Sequence, residues 1–424
     1  MTEKILSTDS YKGVRDFYPK DMAIQRHIFD IWSQTAESFG FERYDASVLE
    51  PSDLYKAKGA ENEEMVNEQT YTFIDRGERE VTLRPEMTPT VARMVAGHRR
   101  ELSFPIRWYS IPNLFRYERP QRGRLREHWQ LNCDIFGATD YTADVEIIAL
   151  ASQLILNFGA DSSLFEIRVN DRTEMRSKYI EYGIEDMEKQ DAITRLNDRF
   201  YKISADEYKA ALKEIVSDDS VAAQVYTLVS GGDATDANKV VEGLKELGIT
   251  NVKIDRSIAR GFNYYTGTIF EIFDVSLENN RAMLGGGRYD NLTEMFGGEA
   301  ISGIGFGMGD VTMRDFLETH NLLTANTTTP DLMVIPMDPA QNIVGQKIAM
   351  QFRETAGLSV ATDISTKKLG KKIGDASEKL VNYVLVVGEN EIKENTYTLK
   401  NLNEEMQVTG TIDEILKQFT DGDL

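Results

Sequence analysis

The stretch Phe115-Arg116-Tyr117-Glu118-Arg119-Pro120-Gln121-Arg122-Gly123-Arg124-Leu125-Arg126-Glu127 decides how this chain is read. The segments on either side, 106–118 and 125–136, are rich in aromatic and aliphatic residues. Between them, Arg119 to Arg124 has the composition of a turn. The pattern predicts a long antiparallel hairpin with a basic, flexible tip. On a pleated strand Arg116 and Glu118 share one face. A strand arginine is costly to bury without an anionic partner. The pair suits a site where Arg116 clamps a phosphate and Glu118 accepts from a base amine, although cross-strand ion pairs on an exposed strand would look the same.

Upstream, Ile24, Ile28, Ile31 and Trp32 recur at helical spacing, which predicts an amphipathic helix over 21–39 closed by Gly40. An extended segment follows over 43–51, stopped by Pro51. Residues 69–84 read as a hairpin around Asp75-Arg76-Gly77-Glu78. A helix is expected to start near Thr88-Pro89, with a hydroxyl cap and proline in its first turn. Downstream, a helix is expected over 144–159. Helices alternating with antiparallel strands indicate an α+β domain built on an antiparallel sheet. From about 171 to 250, charged residues at helical period predict a helical insertion. Strand character returns at 269–275 and 282–284.

Thr324-Ala325-Asn326-Thr327-Thr328-Thr329-Pro330 reads as a polar linker. The expected division is a domain over 1–325, a linker over 326–330 and a second domain over 331–424. In the second domain strands at 331–336, 359–364 and 382–387 alternate with helices at 341–356 and 368–380. A hairpin near 396–409 and a helix from 411 follow. This is an α/β pattern, with an expected small, mostly parallel sheet.

The chain has 424 residues and a formal charge of −21, which argues against indiscriminate nucleic-acid binding. Its basic residues are nevertheless clustered, in the hairpin and again at Lys367, Lys368, Lys371 and Lys372. The single cysteine, Cys133, cannot form an intrachain disulfide and reads as a small buried hydrophobe. His27, His98, His128 and His320 show no metal-ligand spacing, so no protein-bound transition metal is expected. A polar N-terminus and the lack of a long apolar run lead to the expectation of a cytoplasmic protein that does not use a membrane.

There is no GxxxxGK[ST] phosphate loop, no GxGxxG near the N-terminus and no G-x-S-x-G. Two further stretches supply chemistry. In Arg260-Gly261-Phe262-Asn263-Tyr264-Tyr265-Thr266-Gly267, adjacent tyrosines point to opposite faces if the chain is extended. In Gly285-Gly286-Gly287-Arg288-Tyr289-Asp290 and Gly303-Ile304-Gly305-Phe306-Gly307-Met308-Gly309, glycines either let a backbone approach a ligand or make plain turns.

Together these stretches resemble the class II aminoacyl-tRNA synthetases. The arginine hairpin resembles motif 2, the Pro51 segment with its helix resembles motif 1, and residues 303–314 resemble motif 3. Arg260 to Gly267 and Thr82-Leu83-Arg84-Pro85-Glu86-Met87-Thr88 are similar to signatures of the histidyl-tRNA synthetase family. The resemblance covers nearly the whole chain and implies a C-terminal anticodon-binding domain. It implies ligation of L-histidine to tRNA(His), with ATP and Mg2+, through histidyl-adenylate. Glu86, Thr88 and Gln130 are implied to hold the substrate α-amino group, in a histidine site that also includes Met87 and Tyr265. Asp134 and Tyr264 are implied to read the imidazole. Arg116 is implied to bind the α-phosphate, with Glu118 and Arg124 in the ATP site, and Arg260 to steady the transition state. Gln121, Arg122 and Arg124 are expected to meet tRNA, as are Lys367, Lys368, Lys371 and Lys372. A homodimer through 21–51 is implied.

One position departs from the family. Motif 3 ordinarily ends in an arginine that binds the ATP tail, and Thr312 stands there. Arg314 lies about 200° around a helix from it, which leaves Arg122, Arg124 or Arg126 as candidates. The alternative reading is a histidine-binding regulatory relative without aminoacylation. Its usual form lacks the C-terminal domain and degrades the arginine signature, and both are present here.

Overall fold

A computed structural model describes residues 6–57, 69–231, 238–259, 264–276, 278–279, 281–324, 329–404 and 406–421. The chain forms two compact units, Met1–Ala325 and Asn326–Leu424.

The first unit is built on the hairpin. Strands β5 (Ile106–Ser110) and β6 (Asn113–Phe115) both pair antiparallel with β7 (Glu127–Phe136). They keep one register, from Ile106 opposite Phe136 to Phe115 opposite Glu127. Pro112 interrupts the donors but not the alignment, since its carbonyl accepts from Gln130 N at 3.0 Å. Beyond β7 the sheet continues through β12 (Gly303–Gly309), β11 (Ala282–Arg288), β10 (Thr268–Asp274) and β8 (Phe165–Asp171). These pairings are all antiparallel. Two short strands, β1 (Glu42–Arg43) and β9 (Val252–Ile254), close the edges in parallel. A separate three-stranded sheet holds β2 (Leu49–Pro51), β4 (Glu80–Leu83) and β3 (Tyr71–Ile74).

Period-two alternation gives the main sheet two different faces. From β7 and β12, Leu131, Cys133, Ile135, Ile304, Phe306 and Met308 enter a core with Ile28 and Trp32 of the helix Pro19–Ser38. The helix Thr142–Asn157, apolar nearly all round, joins them. Cys133 is buried, as its neighbours predict. The opposite face carries Gln130, Asn132 and Asp134, and the candidate site lies there. Both glycine runs lie inside strands rather than in turns. A Cβ on Gly305 would sit 2.2 Å from Asp134 Oδ1, and one on Gly307 would sit 2.7 Å from Gln130 Cδ. Close approach of strand to side chain explains these glycines.

Asp310 ties the unit together where β12 ends. Fully buried, it accepts from Arg15 Nη2 (2.6 Å), Gln25 Nε2 (2.9 Å) and Trp129 N (2.9 Å). The helices Arg172–Glu181, Met187–Asn197, Ala205–Val216 and Asp219–Val229 pack on a core of their own around Tyr179, Ile193, Tyr208 and Leu228. Each starts at a side-chain cap: Asp171, Asp186, Ser204 and Asp218. The helix Lys239–Glu246 instead gives Val240, Val241 and Leu244 to the main core.

The helix Thr88–His98 has its proline in the first turn, but no side chain caps it. Thr88 is already helical there, so its hydroxyl stands past the position from which a cap reaches back.

In the second unit, β13 (Leu332–Pro336) pairs in parallel with β14 (Val360–Thr362) and β15 (Tyr383–Val387). Strands β16 (Tyr397–Asn401) and β17 (Gln407–Gly410) extend the sheet antiparallel, so it is mixed rather than mostly parallel. The connection 388–396 is too short for a parallel crossover, which takes about a dozen residues. Leu332 and Val334 face one apolar cluster, and Met333 and Ile335 face another. Helices therefore cover both faces.

Candidate active site

Four side chains from four parts of the first unit meet on the polar face. The hydroxyl of Tyr289 donates to Asp134 Oδ1. The ring of Tyr289 packs edge-on to that of Tyr264, with centroids 5.9 Å apart. The hydroxyl of Tyr264 donates to Glu86 Oε2 at 3.0 Å. Two buried carboxyls are thus linked through two tyrosines. Burial pushes the Asp134 carboxyl up to about 7, and the bond from Tyr289 only partly offsets it. The same burial, with Asp134 beside it, raises Tyr289 well above the usual phenol value. A carboxyl poised near neutrality in an apolar wall is fitted to accept from a polar ring nitrogen.

Arg116 adjoins this group. Its Nε donates to Pro85 O at 2.8 Å, one residue from Glu86. Arg84, buried, is structural: it donates to Asn113 O (3.0 Å) and Ala46 O (2.7 Å). Gln130 lies on the same face of β7 as Asp134, under the space left by Gly307. Thr88 is half-buried two residues beyond Glu86, and Met87 is fully buried. At the hairpin tip Arg124 pairs with Glu118 at 3.0 Å, while Gln121 and Arg122 are exposed. His128 stands on the polar face of β7 too, but burial, with Arg116 and Arg15 near it, pushes it down to about 3. It is neutral at physiological pH.

The structure corrects two expectations. Tyr264 and Tyr265 do not point to opposite faces: their rings lie 4.8 Å apart and both enter one apolar cluster. Tyr264 sits in a turn, where strand alternation does not apply. Lys372 is not available to RNA. It is buried, and its Nζ donates to Pro336 O at 2.8 Å and Asp363 O at 3.3 Å. Of its neighbours, Lys367 and Lys371 are held by Asp375, at 2.5 and 2.8 Å, and Lys368 is exposed. Arg260, with Gly261, Phe262 and Asn263, lies outside the described residues. Tyr289 carried no assigned role in the sequence reading. Its signal was a bulky tyrosine directly after three glycines, a residue whose hydroxyl needs a partner once buried.

An antiparallel sheet bearing an arginine hairpin, two buried carboxyls and a glycine-lined face defines a class II aminoacyl-tRNA synthetase catalytic fold. A solved histidyl-tRNA synthetase from Nostoc sp. PCC 7120 shares this fold, with a TM-score of 0.78 at 21% identity, over 99% of this chain and 100% of that one. The apo enzyme from S. aureus aligns with a TM-score of 0.73, over 97% of this chain and 100% of that one, at 21% identity. The histidyl-tRNA synthetase family profile matches residues 13–310, and an anticodon-binding domain profile matches 331–421. A histidine–tRNA ligase from Leptospira biflexa is 40% identical over 99% of both chains. One from Thermoplasma volcanium is 36% identical over 97% of this chain and 98% of its own. The chain belongs to the histidyl-tRNA synthetase family. No helix among the described residues is long and apolar enough to cross a membrane.

Proposed function

We propose that this chain is a histidine–tRNA ligase working in two steps. In the first, a carboxylate oxygen of L-histidine attacks the α-phosphorus of ATP, forming histidyl-adenylate and expelling pyrophosphate. Mg2+ accompanies the ATP. In the second, a terminal ribose hydroxyl of tRNA(His) attacks the acyl carbon, and AMP leaves. The observation that carries this reading is the pair of buried carboxyls, Glu86 and Asp134, bridged by Tyr264 and Tyr289 beside Arg116. An amino acid with a cationic amine and a ring N–H has a partner for each. Glu86, Thr88 and Gln130 take the amine, Asp134 takes the imidazole, and Met87, Tyr264 and Tyr265 form the apolar walls. A competitor lacking the ring N–H would leave a buried carboxyl unpaired, which penalises it strongly.

Arg116 neutralises charge on the α-phosphate. Arg260 does so in the transition state, a role assigned by family resemblance alone. Such positioning and charge stabilisation suffice, with no enzyme nucleophile. Glu118 and Arg124 border the nucleotide. Gln121, Arg122 and Arg124 at the hairpin tip meet the acceptor end of the tRNA, while Lys367, Lys368 and Lys371 lie on the domain that reads the anticodon. The active form is a two-fold homodimer through 21–51, in the cytoplasm. The test is charging: incubation with ATP, labelled histidine and tRNA(His) yields an alkali-labile histidyl ester. Tight histidine binding without any ester would favour the regulatory alternative.

A further inference from the structure

Arg281 stands just before β11 and lines a small cleft with Arg122, Gly123, Met283, Thr312 and Asp315. Glu278 and Asn279 complete the lining. Its Cδ lies 3.1 Å from where a Cβ on Gly123 would stand, and Thr312 Cγ2 lies 3.5 Å from the same point. Arg281 therefore reaches over the hairpin tip into the space beside Thr312. The threonine hydroxyl is turned away, donating to Met283 O (2.9 Å) and Gly309 O (3.1 Å).

The other guanidiniums nearby are engaged. Arg122 donates to Asn279 Oδ1 at 3.1 Å and Thr319 Oγ1 at 3.2 Å. Arg124 pairs with Glu118. Arg126 stacks 3.9 Å over the Tyr117 ring. Arg314 is bound to Asp21 at 3.2 Å and Glu318 at 2.8 Å, as its place on the far side of the helix predicts. Arg281 has no hydrogen-bond or ion-pair partner among the described residues. Burial and the neighbouring Arg124 both lower its proton affinity, and Glu118 offsets this only in part. A half-buried guanidinium beside a second cation is unfavourable until an anion joins it. Arginine also matches phosphate oxygens in bidentate geometry.

We propose that Arg281 is an ATP-binding residue that holds the terminal phosphates, supplying the guanidinium that Thr312 lacks. The claim rests on the proposed ligase activity and adds to it a residue from a different strand. The phosphates would meet the Arg281 guanidinium beside Gly123, whose missing side chain makes room for the arginine stem. The lining also holds two carboxylates, Glu278 and Asp315, so an anion would be held by the guanidinium against their repulsion.

The experiment compares full-length wild-type protein with Arg281→Ala, Arg281→Lys and the double variant Arg281→Ala/Thr312→Arg. Histidine-dependent ATP–pyrophosphate exchange gives the two KM values, and calorimetry gives the binding of ATP and of AMP. The expected result is a rise of about tenfold or more in the ATP KM of Arg281→Ala, as for loss of a charge-assisted pair. The histidine KM and AMP affinity stay within about twofold, since neither ligand reaches the terminal-phosphate subsite. Arg281→Lys recovers part of the loss, and arginine at 312 recovers more. An unchanged ATP KM in folded Arg281→Ala would overturn the proposal. So would an equal rise in both KM values, or a defect confined to tRNA charging, which would assign the cleft to a tRNA phosphate. Wild-type protein without histidine-dependent exchange would refute the ligase reading itself.

Discussion

At the scale of single residues, Asp134 concentrates the account. Its carboxyl is pushed up to about 7 by burial. An acid whose folded pKa exceeds its unfolded value, about 3.9, binds its proton more tightly in the folded state. The protein therefore loses stability from this group as pH rises through about 4 to 7. Asp134→Asn removes that loss and keeps an oxygen for Tyr289. The Tm advantage of Asp134→Asn over wild type should grow between pH 5 and pH 8, read by calorimetry; a constant difference would contradict the assignment. The same variant should raise the histidine KM about tenfold or more at pH 7.5, as for loss of a charged acceptor. Asp134 was legible in the sequence through its motif. Its raised pKa was not, because the burial that causes it depends on β12, which arrives from far along the chain. Lys372 failed for the opposite reason. A lysine in a basic run looks solvated, and only the fold reveals that its ammonium plugs two backbone carbonyls.

At the scale of elements, the hairpin from 106 to 136 was readable because its alternation is strong and its turn composition unambiguous. The tyrosine pair was misread because residues 264–267 do not form a strand, and β-rich composition alone cannot exclude a turn. The order of the C-terminal sheet was also not legible. Local pattern specifies strands, while pairing direction follows from connection length. What joins the hairpin, the first long helix and the helix Asp310–Thr319 is one carboxylate. Asp310 accepts from Arg15, Gln25 and the backbone of Trp129. Asp310→Ala leaves a part-buried guanidinium and two further donors without their acceptor. It should cost about 3–5 kcal/mol in denaturant unfolding. A loss below about 1 kcal/mol would mean that the three elements hold together without it.

At the scale of the whole molecule, each unit has its own apolar cores, with none shared in the clusters described. Glu86, Arg116, Asp134, Tyr264 and Tyr289 all belong to the first unit. Truncation at Thr329 should therefore leave histidine-dependent pyrophosphate exchange at least partly intact and sharply reduce tRNA charging. Equal charging by the truncated protein would give the second unit another purpose. The sequence suggested this separation through its polar linker and the change from α+β to α/β texture.

Two buried carboxyls, Glu86 and Asp134, are proposed to select histidine for activation. ATP–pyrophosphate exchange by the full-length protein, run with each of the twenty amino acids in turn, tests it most directly. Exchange is expected with histidine, and background with the other amino acids. Equal exchange with a second amino acid, or none with histidine, would contradict it.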